Sequence, residues 1–394
     1  MPKMNCRERF LATMAFEPVD HPPIWEYGYW APTLRRWYKE GLPCRVGLPE
    51  HPDLVVANGE ACPWDPSQLP YTARDEDVHQ ELDLDPGIRR IPLNTFAYPA
   101  FEMHTLEEHG DEIVWQDGKG VIRRDKKDRS SMSVIMTGPV QTREDWERYK
   151  DERLQPNLEG RLPADWPQQC EQLRQRDFPL AIGNFGGQFG FFHTLRYLLG
   201  PMRILYSFYD QPDLVRDMMN YLADFWSALC DQVLSQISVD LAFYNEDMAF
   251  KNGPFISPAM FREFLLPCYK KLNGLLHDHG VKVILIDSDG DNWKLIPLFL
   301  EGGATGIWPL EVAANMDVWE LRQAFPRLHM VGGVDKRAVA GGKQDIDQEL
   351  EPKISQTLRS GGFVPTIDHL APPDIPWENF SYYRKRLAEM THRR

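Results

Sequence analysis

From Pro179 onward, short apolar runs alternate with longer stretches of helical periodicity. The apolar runs fall at 179–184, 239–244, 281–286, 305–308, 328–332 and 363–367. Amphipathic stretches fill the intervals, at 190–208, 211–236, 258–279, 292–301, 316–324, 336–341, 344–360 and 377–390. A short run that is apolar throughout fits a strand covered on both faces, and such a strand needs a crossover helix to reach a parallel neighbour. Six β/α units in series therefore predict a parallel sheet. An extended segment at Ile24–Tyr29 and one further strand in the middle region bring the number to eight. The predicted fold class is α/β, a (β/α)8 TIM barrel with an N-terminal extension and an inserted cap region. A doubly wound open sheet is the alternative, and the absence of a strand-linked G-x-G-x-x-G argues against its nucleotide-binding form.

Ahead of this rhythm, Cys6–Ala15 reads as a short helix that the prolines of E-P-V-D-H-P-P bring to an end. Residues 42–177 are rich in Pro, Asp and aromatic side chains and read as a cap or surface elaboration of a single domain spanning 1–394. Inside this region, E-I-V-W-Q-D-G-K-G-V-I-R-R predicts a hairpin turning at Asp117–Gly120. Thr142, followed by Glu144 and Asp145, marks the start of a helix.

The formal charge is −14, from 44 basic and 58 acidic residues, and the one basic cluster, Arg123–Arg129, is broken by aspartates. Nucleic acid is not expected as a partner. The six cysteines are scattered, without a C-x-x-C pair, as in reduced cytoplasmic proteins. The N-terminus carries no apolar signal region, and no segment approaches the roughly 20 apolar residues that cross a bilayer. A soluble, cytoplasmic protein with no membrane partner is the expectation.

Candidate chemistry sits where the predicted strands end, which in a β/α barrel is the catalytic face. The run Val281–Ile286 breaks into Asp287, Ser288, Asp289, Gly290 and Asp291. The i, i+2 spacing puts Asp287 and Asp289 on one side of an extended strand end, where with a histidine they could hold a divalent cation. Equally, they could cap the helix that follows, a role Asp291 can fill alone. His369 follows the last strand and precedes a rigid A-P-P-D-I-P turn, placing an imidazole near the mouth as ligand or proton donor. Glu246 and Asp247 end another strand, and being adjacent only one of them should face the pocket. Glu311 ends a further strand as a possible substrate contact. The stretch Gly183–Gly190 leads from a strand into a helix, offering backbone amides to an anion or simply serving loop geometry. Its neighbours Asn184, Gln188 and His193 are candidates for substrate binding. Trp25, Tyr27, Tyr29 and Trp30 line either a cavity or a core.

Five segments carry a family resemblance: R-E-R-F-L-A-T-M-A-F-E-P-V-D-H-P-P, N-G-P-F-I-S-P-A-M-F-R-E-F-L-L-P, H-D-H-G-V-K-V-I-L-I-D-S-D-G-D, V-G-G-V-D-K-R and D-H-L-A-P-P-D-I-P. They resemble the uroporphyrinogen decarboxylase superfamily over nearly the whole chain. The resemblance implies a (β/α)8 barrel and two branches of chemistry. Cofactor-free decarboxylases carry an Arg-Gln-Ala-Gly-Arg-Tyr signature after the first strand, and here that stretch is W-E-Y-G-Y-W-A-P, Trp25–Pro32, without arginine. Zinc methyltransferases that work with corrinoid proteins carry His-x-Cys and a later Cys. Here Asp287–Asp289 and His369 stand in those places, giving harder ligands than thiolate.

The resemblance thus implies a metal-dependent methyltransferase. Asp287, Asp289 and His369 would hold zinc or another divalent metal, and Glu246 or Asp247 with His369 would act in catalysis. Its expected partners are a small-molecule substrate, a corrinoid protein that brings its own corrinoid, and a second copy in a homodimer. The alternative is a metal-free decarboxylase in which an aspartic acid protonates the developing carbanion. A barrel that kept a binding role without turnover is a third reading, disfavoured by the cost of burying so many carboxylates without use.

Overall fold

The computed structural model describes residues 3–47, 76–126, 133–183 and 189–392. The chain enters its main sheet at β1 (Arg89–Arg90) and leaves it for four antiparallel strands: β2 (His104–His109), β3 (Glu112–Gln116), β4 (Ile122–Lys126) and β5 (Val134–Thr137). It returns with β6 (Leu180–Gly183) and β7 (Leu241–Asn245) and makes a small hairpin, β8 (Ala249–Phe250) with β9 (Gly253–Pro254). The remaining strands are β10 (Val283–Asp287), β11 (Gly306–Trp308), β12 (His329–Val334) and β13 (Phe363–Ile367). Seven of these form one parallel sheet in the order β1-β6-β7-β10-β11-β12-β13. Every residue of β6, β7 and β10–β13 is buried, which is why those runs are apolar throughout.

Alternation along the strands sorts the core. Leu241 and Phe243 of β7, Val283 and Leu285 of β10, Val331 and Val364 pack with Trp25 and Trp308 in one cluster. Cys6, Phe10 and Met14 of the N-terminal helix Cys6–Met14 belong to the same cluster. The intervening Ala242, Tyr244, Ile284 and Ile286 pack instead with the helices, among them Trp226, Leu229 and Tyr269. By period two, Asn245 and Asp287 share the face of Phe243 and Leu285, and Glu246 takes the opposite one.

The sheet curls so that both of its edges reach one N-terminal segment. Ahead of β1, Asp85 accepts from Ile24 N–H through its carboxylate (2.7 Å) and donates its own N–H to Ile24 (2.7 Å). Beyond β13, Ala371 donates to Gly28 (2.9 Å) and accepts from Trp30 (3.2 Å). The strand expected at Ile24–Tyr29 is accordingly an extended segment with a single parallel bridge, Tyr29 to Ala371. Its N–H groups are diverted to a side chain at Ile24, and Gly28, at φ +146°, bends it out of a regular ladder.

Most predicted elements fall within a few residues of those observed, and the larger differences have proline in them. The helix expected over 190–208 is two, Phe191–Leu199 and Pro201–Asp210, broken by Gly200 (φ +92°) and the missing N–H of Pro201. The stretches 258–279 and 344–360 each contain a wide turn, at Phe261–Leu265 and Leu350–Ile354, where Pro267 and Pro352 interrupt the i→i−4 ladder. The hairpin at 112–124 forms as β3 and β4, with Asp117 accepting from Lys119 and Val121 in the turn. Thr142 caps the helix Arg143–Arg153 in a reciprocal box with Asp145.

Candidate functional site

Two neighbouring strands bring polar ends together. Asn245 ends β7 in register with Asp287 of β10, and both are buried, at 6% and 2% exposure. Asp289 lies two residues beyond Asp287. Asp247 is turned back by a left-handed backbone, φ +44°, a conformation unusual enough outside glycine to mark a specific placement. Carboxylate oxygens of Asp247, Asp287 and Asp289 all lie within 4.8 Å of one another, the one such grouping among the described residues. His369 Nε2 is 3.6 Å from Asp289 Oδ2. Tyr27 donates its hydroxyl to Asp287 Oδ2 at 3.2 Å, and its ring packs against His369 and Trp308.

The three carboxylates do not share one charge state. Burial, then the neighbouring Asp247 and Asp289, push the Asp287 carboxyl well above the ordinary range, against hydrogen bonds from Asn245 and Tyr27. Asp247 goes the other way. Burial opposes its ionisation, but His193 and the Arg196 guanidinium, 2.8 Å away, hold it below the usual carboxylate range. Burial and Arg196 in turn lower His193 to about 4, so Asp247 is ionised against Arg196 while His193 stays neutral. His369 is raised because Asp289 outweighs the cost of its burial. Burial and the carboxylates raise the Tyr27 phenol far above its ordinary value, keeping it a donor.

Other sequence candidates sit elsewhere. Glu246 faces away from this cluster, onto the start of the helix Phe191–Leu199. It accepts from the N–H groups of Phe191 (2.8 Å), Phe192 (2.8 Å) and His193 (3.3 Å), and from Tyr269 Oη. Those contacts satisfy the helix's unpaired amides, so Glu246 is not brought together with the carboxylates beside which it was expected to act. Glu311 accepts from Gly290 N–H (3.0 Å), and Lys336 Nζ lies 3.6 Å from Glu311 and 3.5 Å from the buried Asp368. Asp291 accepts from Trp293 N–H in a turn ahead of the helix Ile296–Glu301, whose N-cap is Leu295, so it does not cap that helix as expected. Asn184 and Gln188 lie outside the described residues. Trp25 belongs to the core, and Tyr29 packs on Trp37 and Phe380.

Arg196, Lys336 and the hydrogen bond of Tyr27 to Asp287 were missed from the sequence, whereas Asn245 was legible as one of the polar residues that end its strand. Arg196 had a signal, since it stands one helical turn beyond His193. Tyr27 had one too, lying two residues after the inward Trp25.

With this geometry in view, the likenesses to known proteins fall into place. Residues 130–390 match the family described as Uroporphyrinogen decarboxylase (URO-D). A solved methyltransferase from Methanosarcina mazei superimposes with a TM-score of 0.57 at 15% identity, over 98% of this chain and 99% of that one, a likeness of fold. No curated protein matches. Among the described residues, no helix is long and apolar enough to cross a membrane. A parallel β/α sheet with its polar cluster at the strand ends, and a family match over two thirds of its length, place this chain in the uroporphyrinogen decarboxylase family.

Proposed function

We propose that this chain is a divalent-cation-dependent methyltransferase, moving a methyl group between a small substrate and the corrinoid of a partner protein, on a barrel whose eighth stave is the segment 24–30. The observation that carries the reading is the convergence of Asp247, Asp287 and Asp289 within 4.8 Å, with His369 beside Asp289. Three carboxylates this close repel unless protons or a cation intervene. Asp289 Oδ1 is buried without a hydrogen-bond partner, so the donor set has a lone pair left for a cation. Asp287 and Asp289 would hold it, with Asp247 or His369 beside them. When bound, a divalent cation polarises the substrate atom that carries or receives the methyl group and lowers its pKa.

The chain's own groups have distinct tasks. Tyr27 fixes the Asp287 carboxylate through Oδ2, and Arg196 with His193 fixes Asp247. His369, raised by Asp289, is placed to hold a proton at Nε2 for the departing or arriving substrate atom. Among the described residues the cations beside this acidic face, Arg196 and Lys336, are already engaged by Asp247, Glu311 and Asp368, which speaks against a polycarboxylate substrate. The methyltransferase fold of the Methanosarcina mazei protein supports the same branch.

One observation favours a second reading. Asp287, its carboxyl pushed well above the ordinary range by burial and its neighbours, has the character of an acid that could protonate a carbanion after decarboxylation of a small carboxylic acid. The two separate in one assay. Methyl transfer from O-, N- and S-methyl compounds to free cobalamin, run with and without a chelator, should show turnover that the chelator abolishes. Carbon dioxide release that a chelator leaves untouched would favour the lyase.

A further inference from the structure

Asn245 is the unassigned member of the cluster. It is 6% exposed, it pairs in register with Asp287, and its Oδ1 is buried with no hydrogen-bond partner. A buried amide oxygen without a donor is costly unless something outside the chain meets it. Its place on the same inner face as Asp287 and in register with it sets the side chain that carries this unmet oxygen beside the three converging carboxylates. A substrate donor group could satisfy the amide oxygen alone, but not the mutual repulsion of the carboxylates beside it. A cation does both.

His369 stands differently. It reaches Asp289 at 3.6 Å, yet its nitrogens fall outside the set whose atoms lie within 4.8 Å of one another. Resting on the reading of a cation-dependent site, we infer that the ligand set is all oxygen, Asp247, Asp287, Asp289 and Asn245 Oδ1. Its cation is then a hard one, magnesium or manganese, in place of the zinc that nitrogen and sulfur ligands favour. His369 is then a proton-handling neighbour of Asp289 and not a ligand.

The test titrates metal-free protein with Mn2+ alone, followed by calorimetry and by the paramagnetic resonance of the ion. The variants are Asn245→Leu, Asn245→Asp and His369→Ala, with circular dichroism reporting their folding. One Mn2+ per chain is expected, displaced by Mg2+ and without coupling to a histidine nitrogen. Asn245→Leu should weaken binding by on the order of tenfold or more, as loss of one ligand does, and His369→Ala by less than about twofold. Should Asn245→Leu not fold, Asn245→Asp decides: it keeps an oxygen and must still bind Mn2+. Histidine coupling, loss of binding in His369→Ala, failure of Asn245→Asp, or tight Zn2+ uptake without Mn2+ binding would overturn this inference and leave the cation-dependent reading standing. A wild type that takes up no divalent cation would overturn both.

Discussion

Replacing Glu246 by alanine should unfold the protein more readily rather than disable its chemistry. The side chain is fully buried and accepts three backbone N–H groups at the start of the helix Phe191–Leu199, together with Tyr269 Oη. Each donor left unpaired in the interior costs about 1–3 kcal/mol, and the helix terminus loses a favourable partner besides. Some of that returns when water or a shifted side chain meets the amides. A net loss of about 3–5 kcal/mol is expected, read from urea midpoints by tryptophan fluorescence and far-ultraviolet circular dichroism.

The pH dependence has a definite sign. Burial pushes the Glu246 carboxyl up to about 7, against the hydrogen bonds it accepts. A carboxyl with a raised folded pKa stabilises fully below its unfolded value near 4.5 and loses that contribution as pH climbs through about 7. The span amounts to about 3 kcal/mol. Glu246→Gln should flatten this decline between pH 5 and about 7.5. An alanine variant with an unchanged urea midpoint and no activity would refute the reasoning and return Glu246 to catalysis.

Three further outcomes follow from other contacts. Glu26 is buried against Arg384 and Tyr383 and accepts Ile367 N–H at 3.0 Å, so Glu26→Ala strands a buried guanidinium and should cost about 3–5 kcal/mol in a denaturant melt. Burial holds His329 down to about 4, against its contact with the Met14 carbonyl, so the unfolded chain takes the proton first. Stability should therefore fall by about 3 kcal/mol as pH drops from 6.5 towards 4, a slope that His329→Gln removes. A Cβ at Gly190 would lie 2.0 Å from the Asn245 carbonyl, so Gly190→Ala should cost about 2–3 kcal/mol and weaken cation binding by displacing the end of β7. Unchanged calorimetric titration in that variant would contradict the placement of Asn245.

The parallel sheet was legible because strands buried on both faces leave uninterrupted apolar runs, and the six predicted after residue 178 each overlap an observed strand. Short strands escaped. β1 has two residues, both arginine and half-buried, and no hydrophobic pattern can announce it. The Ile24–Tyr29 segment had the composition of a strand, but Asp85 and Gly28 break its ladder, and neither effect is local enough to read from the sequence. At the site, the i, i+2 spacing placed Asp287 and Asp289 together correctly, and the adjacency of Glu246 and Asp247 required that they part. Which of the two faced inward was not readable, because the left-handed turn at Asp247 brings it back to the cluster. Tyr27 and Arg196 come from elements 260 and 51 residues away from their carboxylate partners, a relation only the fold supplies.

Elemental analysis of the purified protein, wild type beside Asp287→Asn and Asp289→Asn, tests the central claim most directly. A cation-dependent site predicts close to one equivalent of a divalent metal in the wild type, retained on dialysis or restored on addition, and lost in both variants. Wild-type protein that neither carries nor takes up a divalent metal, and turns over unchanged in the presence of a chelator, would contradict it.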